Sequence, residues 1–163
     1  MYITFEDYIR WYSPISENVF ERLAIEACRT MDKYTTGIDS VRKLKKAFPV
    51  DEDSAYAVKF TAAQLVNTLY QIYEAEQAAN MSRGYIETEN GLQRKIISRV
   101  EAGNEAISYM EGQGNTTAVD TAAKDTAAKR KMLFNIVRDG LSGVEDANGV
   151  NLLYMGVYPG GCE

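Results

Sequence analysis

The sequence predicts a mainly α protein: a small helical bundle around one long central helix, with an inserted β-hairpin and an extended C-terminal arm. Three observations carry this. Residues 51–80 contain no Gly or Pro and repeat apolar side chains at helical spacing. Residues 95–110 hold two short β-rich runs separated by a Gly-containing loop. Six of the twelve glycines follow Asp139 and surround a single dense apolar run, so the end of the chain reads as extended rather than helical.

The central helix is the strongest element. Ala55, Val58, Ala62, Leu65, Leu69 and Ile72 alternate in steps of three and four, and Val66 and Tyr73 widen the stripe. Tyr56, Phe60, Ala63 and Tyr70 fall on roughly the opposite side. A surface helix needs one apolar stripe, so a second one predicts neighbours on both sides. One is the protein's own core and the other is a further segment or subunit. Tyr56, Phe60 and Tyr70 would face that further segment or subunit. Asp51, Glu52 and Asp53 stand at the helix start, where carboxylates cap free N–H groups and face the positive end of the dipole.

In chain order, residues 4–11 read as a short helix with Thr4 as cap and Asp7 three residues on, until Pro14 breaks it. Ser16 is placed to cap a second helix to about Lys33, with Ile15 and Phe20 as a hydrophobic staple. Cys28 lies in that helix's apolar stripe and reads as core rather than as a nucleophile. Asp39 or Ser40 is placed to cap a third, short helix to about Lys46, ended by Phe48-Pro49. Arg42, Lys43, Lys45 and Lys46 read as its solvated face.

Beyond Gly84 the periodicity changes, and Asn90-Gly91 is a turn signal. The hairpin is expected at about residues 94–110, with strands at 95–101 and 106–110. Two strands alone are marginal in water, so this pair needs the helices or a neighbouring subunit. A polar loop leads to a long helix over residues 118–141, which contains the pentapeptide DTAAK twice in tandem. Its Asp120–Lys124 and Asp125–Lys129 spacings predict i,i+4 ion pairs. The domain boundary falls after residue 141, and residues 142–163 form the glycine-rich arm. Its apolar run, Leu152-Leu153-Tyr154-Met155-Gly156-Val157-Tyr158, has strand length. It either folds back onto its own domain or reaches out to a partner's sheet or groove, and an extended chain of this length has the reach for the second. Removing the residues after Asn148 is expected to leave the domain folded.

Composition narrows the function. The chain has 163 residues, one domain's worth, and a net charge of −5 without a basic block, which argues against binding nucleic acid by phosphate neutralisation. No run approaches the length of a membrane span, and the first twelve residues lack the pattern of a secretory signal. Two cysteines make no disulfide framework and fit a reducing compartment. There is no histidine, which removes the commonest general base and the commonest metal ligand. No CxxC, P-loop or GxGxxG occurs. The expectation is a protein that is not an enzyme and that needs no cofactor or metal.

Several stretches taken together carry a resemblance. They are MYITFEDYIRWY, ACRTMDKYTTG, KLKKAFPVDEDSAYAVKFTAAQLVNTLYQI, AGNEAISYM and DANGVNLLYMGVYP. Their order over nearly the whole chain resembles the head–tail connector proteins (adaptor, or head-completion, proteins) of long-tailed bacteriophages and prophages. The resemblance implies a structural virion protein, made in the bacterial host cytoplasm. It forms a homo-oligomeric ring, typically of twelve subunits, at the neck between the portal protein of the DNA-filled head and the next neck or tail-completion protein. It implies a portal-docking arm at Leu152, Leu153, Tyr154, Met155, Val157 and Tyr158. It also implies that Ile96, Val100, Ile107 and Tyr109 of the hairpin face neighbouring subunits or the lumen, and that Tyr56, Phe60 and Tyr70 of the central helix are subunit-interface candidates. DNA would pass through that lumen without sequence-specific binding, which an acidic balance suits. The alternative is a small cytoplasmic helical binding or regulatory module whose apolar C-terminal arm grips a partner.

Overall fold

The computed structural model describes residues 1–82, 85–88, 91–94 and 117–159. Its axis is α4 (Glu52–Ser82), against which α1 (Phe5–Ile9), α2 (Glu17–Thr35), α5 (Ala118–Lys124) and α6 (Thr126–Gly140) all pack. The short α3 (Lys43–Lys46) leans on α2. The protein is mainly α, as its periodicities predict. Val58, Ala62, Leu65, Val66, Leu69 and Ile72 of α4 are all buried. All but Ile72 meet Phe20, Leu23, Ala24, Ala27 and Met31 of α2 and Leu133 and Val137 of α6 in one continuous core. Each fully buried side chain of Val or Leu size stabilises by about 1.5–3 kcal/mol, so this stripe is the main source of stability.

The helix starts follow local chemistry in some places and depart from it in others. The Asp51 carboxylate accepts the Ser54 N–H at 2.9 Å and caps α4, which holds its carboxyl below the usual range. Thr4 Oγ1 accepts the Asp7 N–H at 3.1 Å. The capping box expected there does not close, because the Asp7 carboxylate turns to Lys59 at 3.5 Å and Arg10 at 3.7 Å. Ser16 precedes α2 without a side-chain cap bond. Cys28 is half-buried, and burial pushes its thiol up; its Sγ accepts the Tyr2 N–H at 3.4 Å.

The long helix expected over residues 118–141 is two helices. Asp125 has φ −126° and ψ 115°, an extended conformation, and its carboxylate accepts the Ala127 N–H at 2.8 Å. Asp120 closes a capping box with Thr117. Each copy of DTAAK thus places its Asp at a helix start, in the N-cap position at Asp125 and in the first turn at Asp120. The repeat marks a break rather than a continuous alanine-rich helix. Lys129 reaches across to Glu26 of α2 at 3.4 Å rather than serving only its own helix.

Strands β1 (Tyr85–Thr88) and β2 (Gly91–Arg94) pair antiparallel, with Tyr85 opposite Arg94 and Thr88 opposite Gly91. Gly91 of the Asn90-Gly91 signal opens β2. The hairpin expected at 94–110 falls, apart from Arg94 in β2, on residues outside those described.

The segment after α6 does not stand off as an arm. Val144, Val150, Leu152 and Tyr158 are buried. Glu145 and Asn151 form an isolated bridge that closes a tight loop through Gly149, whose φ is +72°. The loop is held by Asp146, whose Oδ1 accepts the N–H groups of Asn148 at 2.8 Å and Val150 at 3.0 Å. Leu152 sits at the floor of the core cluster beside Val144, so residues 142–159 are part of the domain. Apolar residues on a glycine-rich segment read the same whether they dock at home or away, which is why the sequence left both destinations open.

Candidate functional site

Two surfaces combine exposed apolar groups with a rigid mount. The first is the C-terminal turn. Lys43, expected on a solvated face, is completely buried beneath it. Its Nζ donates to the carbonyls of Asn151 at 3.3 Å and Leu152 at 3.1 Å, and to that of Tyr154. Burial pushes the lysine down, while Asp146 and Asp39 oppose the shift. Arg42, Lys45 and Lys46 remain exposed as expected, and Lys45 pairs with Asp32 at 3.3 Å.

Three further ties complete the mount. The Asp39 carboxylate accepts the Tyr158 N–H at 2.6 Å and the Val41 N–H at 3.1 Å, and these bonds hold its carboxyl below the usual range. The Tyr158 hydroxyl donates to Asp146 Oδ2 at 2.6 Å and accepts from Asn148 Nδ2 at 2.7 Å. The Ile38 N–H donates to the Met155 carbonyl at 3.0 Å. Gly37 meets Gly156 so closely that a Cβ on Gly37 would lie 2.6 Å from the Gly156 oxygen. Ser40, at φ +61°, turns the loop under this contact.

The mount divides the six residues expected to dock a partner. Leu152 and Tyr158 are buried in the protein's own fold and are not available to a partner, because their side chains complete the core and the Asp146 network. Leu153 is half-buried. Tyr154, Met155 and Val157 are each more than half exposed at the tip of the turn. Ile38, exposed beside Met155, joins them; it read as loop in the sequence, where no periodicity marks it.

The second surface lies along the start of α4. Trp11 meets Tyr56 and Phe60 edge to face, both with ring centroids 5.5 Å apart. Tyr56 is 53 % exposed, and Phe60 and Tyr70 are half-buried. The Tyr70 hydroxyl donates to Glu74 at 2.6 Å. The expected second apolar face therefore exists in its first two turns, partly covered by Trp11, while Ala63 is buried. Ile96, Val100, Ile107 and Tyr109 lie outside the described residues.

A groove of about 600 Å³ runs beside the N-terminal segment, lined by Tyr2, Phe5, Phe20 and Phe48, with Asp7 and Lys59 at its edge. Asp7 and Lys59 are already paired with each other at 3.5 Å. Among the described residues no three Cys, Asp or Glu side chains are grouped to hold a metal ion. None of the described helices is long and apolar enough to cross a membrane. No family model matches the chain, and no curated protein or solved structure matches it.

Proposed function

We propose that this protein is a structural component of a bacteriophage neck, forming a ring that joins the portal of the DNA-filled head to the tail. The observation that carries the reading is the C-terminal turn. Tyr154, Met155 and Val157 project together from a backbone fixed by Lys43 and Asp39. A joint between two large assemblies needs a contact presented in a fixed direction, since conformational freedom already given up in the free protein is not lost again on binding. Repetition around a ring turns a small apolar tip into a firm attachment. The resemblance of the chain to head–tail connectors supplies the partner: the portal for the tip. It also assigns Ile96, Val100, Ile107 and Tyr109 to contacts with neighbouring subunits or the lumen.

Electron microscopy of particles from a phage or prophage lacking this gene tests the reading. Unjoined, DNA-filled heads beside complete free tails are the expected result. Intact virions would discard the neck role. The same exposed tip would then favour a small helical module that grips a cytoplasmic partner.

A further inference from the structure

Two helices of this protein carry stripes at a step of four residues and of opposite charge, with Tyr56 and Phe60 on α4 and Phe134 on α6. On α4, Glu52, Tyr56 and Phe60 recur every fourth residue and so share a side, with Asp53 next to Glu52. Tyr56 and Phe60 stack with centroids 6.1 Å apart. Lys59 beside this stripe pairs with Asp7 at 3.5 Å, and Asp51, Glu52 and Asp53 keep the helix start acidic. On α6, Arg130, Phe134 and Arg138 recur at the same step. Phe134 is 41 % exposed and meets Tyr34 of α2 edge to face at 5.1 Å. The Arg138 guanidinium lies 5.9 Å from the Phe134 ring centre, and Lys33 Nζ lies 5.4 Å from that of Tyr34. Asp139, bonded to Arg138 at 3.0 Å, offsets one of these charges.

We propose that these stripes are the two halves of one head-to-tail contact between copies of this chain, α4 of one copy lying against α6 of the next. The inference rests on the ring reading and names the faces that close the ring. Charge identifies the occupant. The acidic surface that complements the Arg130–Arg138 side of α6, with an aromatic ring at the same step, stands on the protein itself, at Glu52, Asp53 and Tyr56. The two faces share no residue, so the contact is heterologous, and such contacts build rings or filaments rather than closed dimers. Rings fill the centre of the contact, and flanking charges fix its register.

Sedimentation equilibrium on the full chain tests this. The wild type is expected to self-associate, and more weakly at high salt. Arg130→Glu with Arg138→Glu, and separately Glu52→Lys with Asp53→Lys, should each weaken association by about tenfold or more. Both variants should keep the helical circular dichroism of the wild type. Mixing the two should restore association, because each reversed face then meets a complementary one. A wild type that stays monomeric at high concentration, unchanged association in folded variants, or no rescue on mixing would overturn the proposal. So would binding of duplex DNA that the α6 reversal abolishes while self-association persists. Failure here with separated heads and tails in the gene deletion would keep the neck role and discard this interface. Rescue on mixing with intact virions in the deletion would do the reverse.

Discussion

At the scale of single residues, Lys43 does most to hold the C-terminal turn. It closes a contact spanning more than a hundred residues of sequence, down to its bond with the Leu152 carbonyl at 3.1 Å. Lys43→Met keeps the stem but leaves carbonyls of residues 151, 152 and 154 without their donor. The expected loss is about 2–3 kcal/mol, since hydrogen bonds to a charged group are worth more than neutral ones. Urea denaturation reads this, and an unchanged midpoint would mean that water replaces the ammonium. Asp39 makes the turn sensitive to acid. Its folded pKa is depressed below the ordinary 3.8, first by the Tyr158 N–H and then by the Val41 N–H. A depressed acid contributes stability above its unfolded pKa and loses it as pH falls through the folded one. The turn should therefore hold at neutral pH and loosen only below about pH 4, seen as faster amide exchange at Tyr158. Asp39→Asn should remove that acid transition; a transition that survives in the variant would place its origin elsewhere. None of this was legible in the run Arg42-Lys43-Leu44-Lys45-Lys46. Local charge does not say which lysine will be covered when the covering carbonyls come from the far end of the chain.

At the scale of elements, what the sequence showed depended on how local the cause was. Thr4, Asp51 and the stripe of α4 act within a turn or two, and the structure places them as their spacing predicts. The break at Asp125 was hidden because alanine and lysine favour helix on both sides, and an i,i+4 pair and an N-cap require the same residue. Asp125→Ala removes the bond to the Ala127 N–H and should cost about 1 kcal/mol in thermal or urea melts. A variant that gained both helicity and stability would show that the break is set by packing, not by the cap. Gly140 answers a different constraint. The end of α6 lies directly against Thr61 of α4, whose Oγ1 already donates to the Ala57 carbonyl at 2.7 Å. Gly140→Ala usually strengthens a helix, yet here the methyl meets a buried side chain. A loss of about 1–3 kcal/mol is expected; a gain would mean that the two helices part easily at this end.

At the scale of the whole molecule, the bundle was readable and the fate of its last residues was not. Helix stripes declare a core by period, but Leu152 and Tyr158, which go in, differ in no sequence property from Tyr154, Met155 and Val157, which stay out. Their sorting depends on Lys43, Asp39 and Asp146, three groups that no local pattern brings together. This changes how a docking role is tested. Removing the residues after Asn148 deletes three buried side chains, Val150, Leu152 and Tyr158, worth about 1.5–3 kcal/mol each, so the truncated chain should melt early and lose docking for a trivial reason. Substituting only the exposed tip, Tyr154→Ser with Met155→Ser and Val157→Ser, separates the two roles. These side chains lie outside the core cluster, so the melting temperature should fall by only a few degrees, in keeping with surface changes of about 0.5 kcal/mol each. Capture by purified portal should be lost all the same. Full capture with a normal melt would move the docking surface away from the turn. Collapse of the fold would show that the tip supports the core more than its exposure implies.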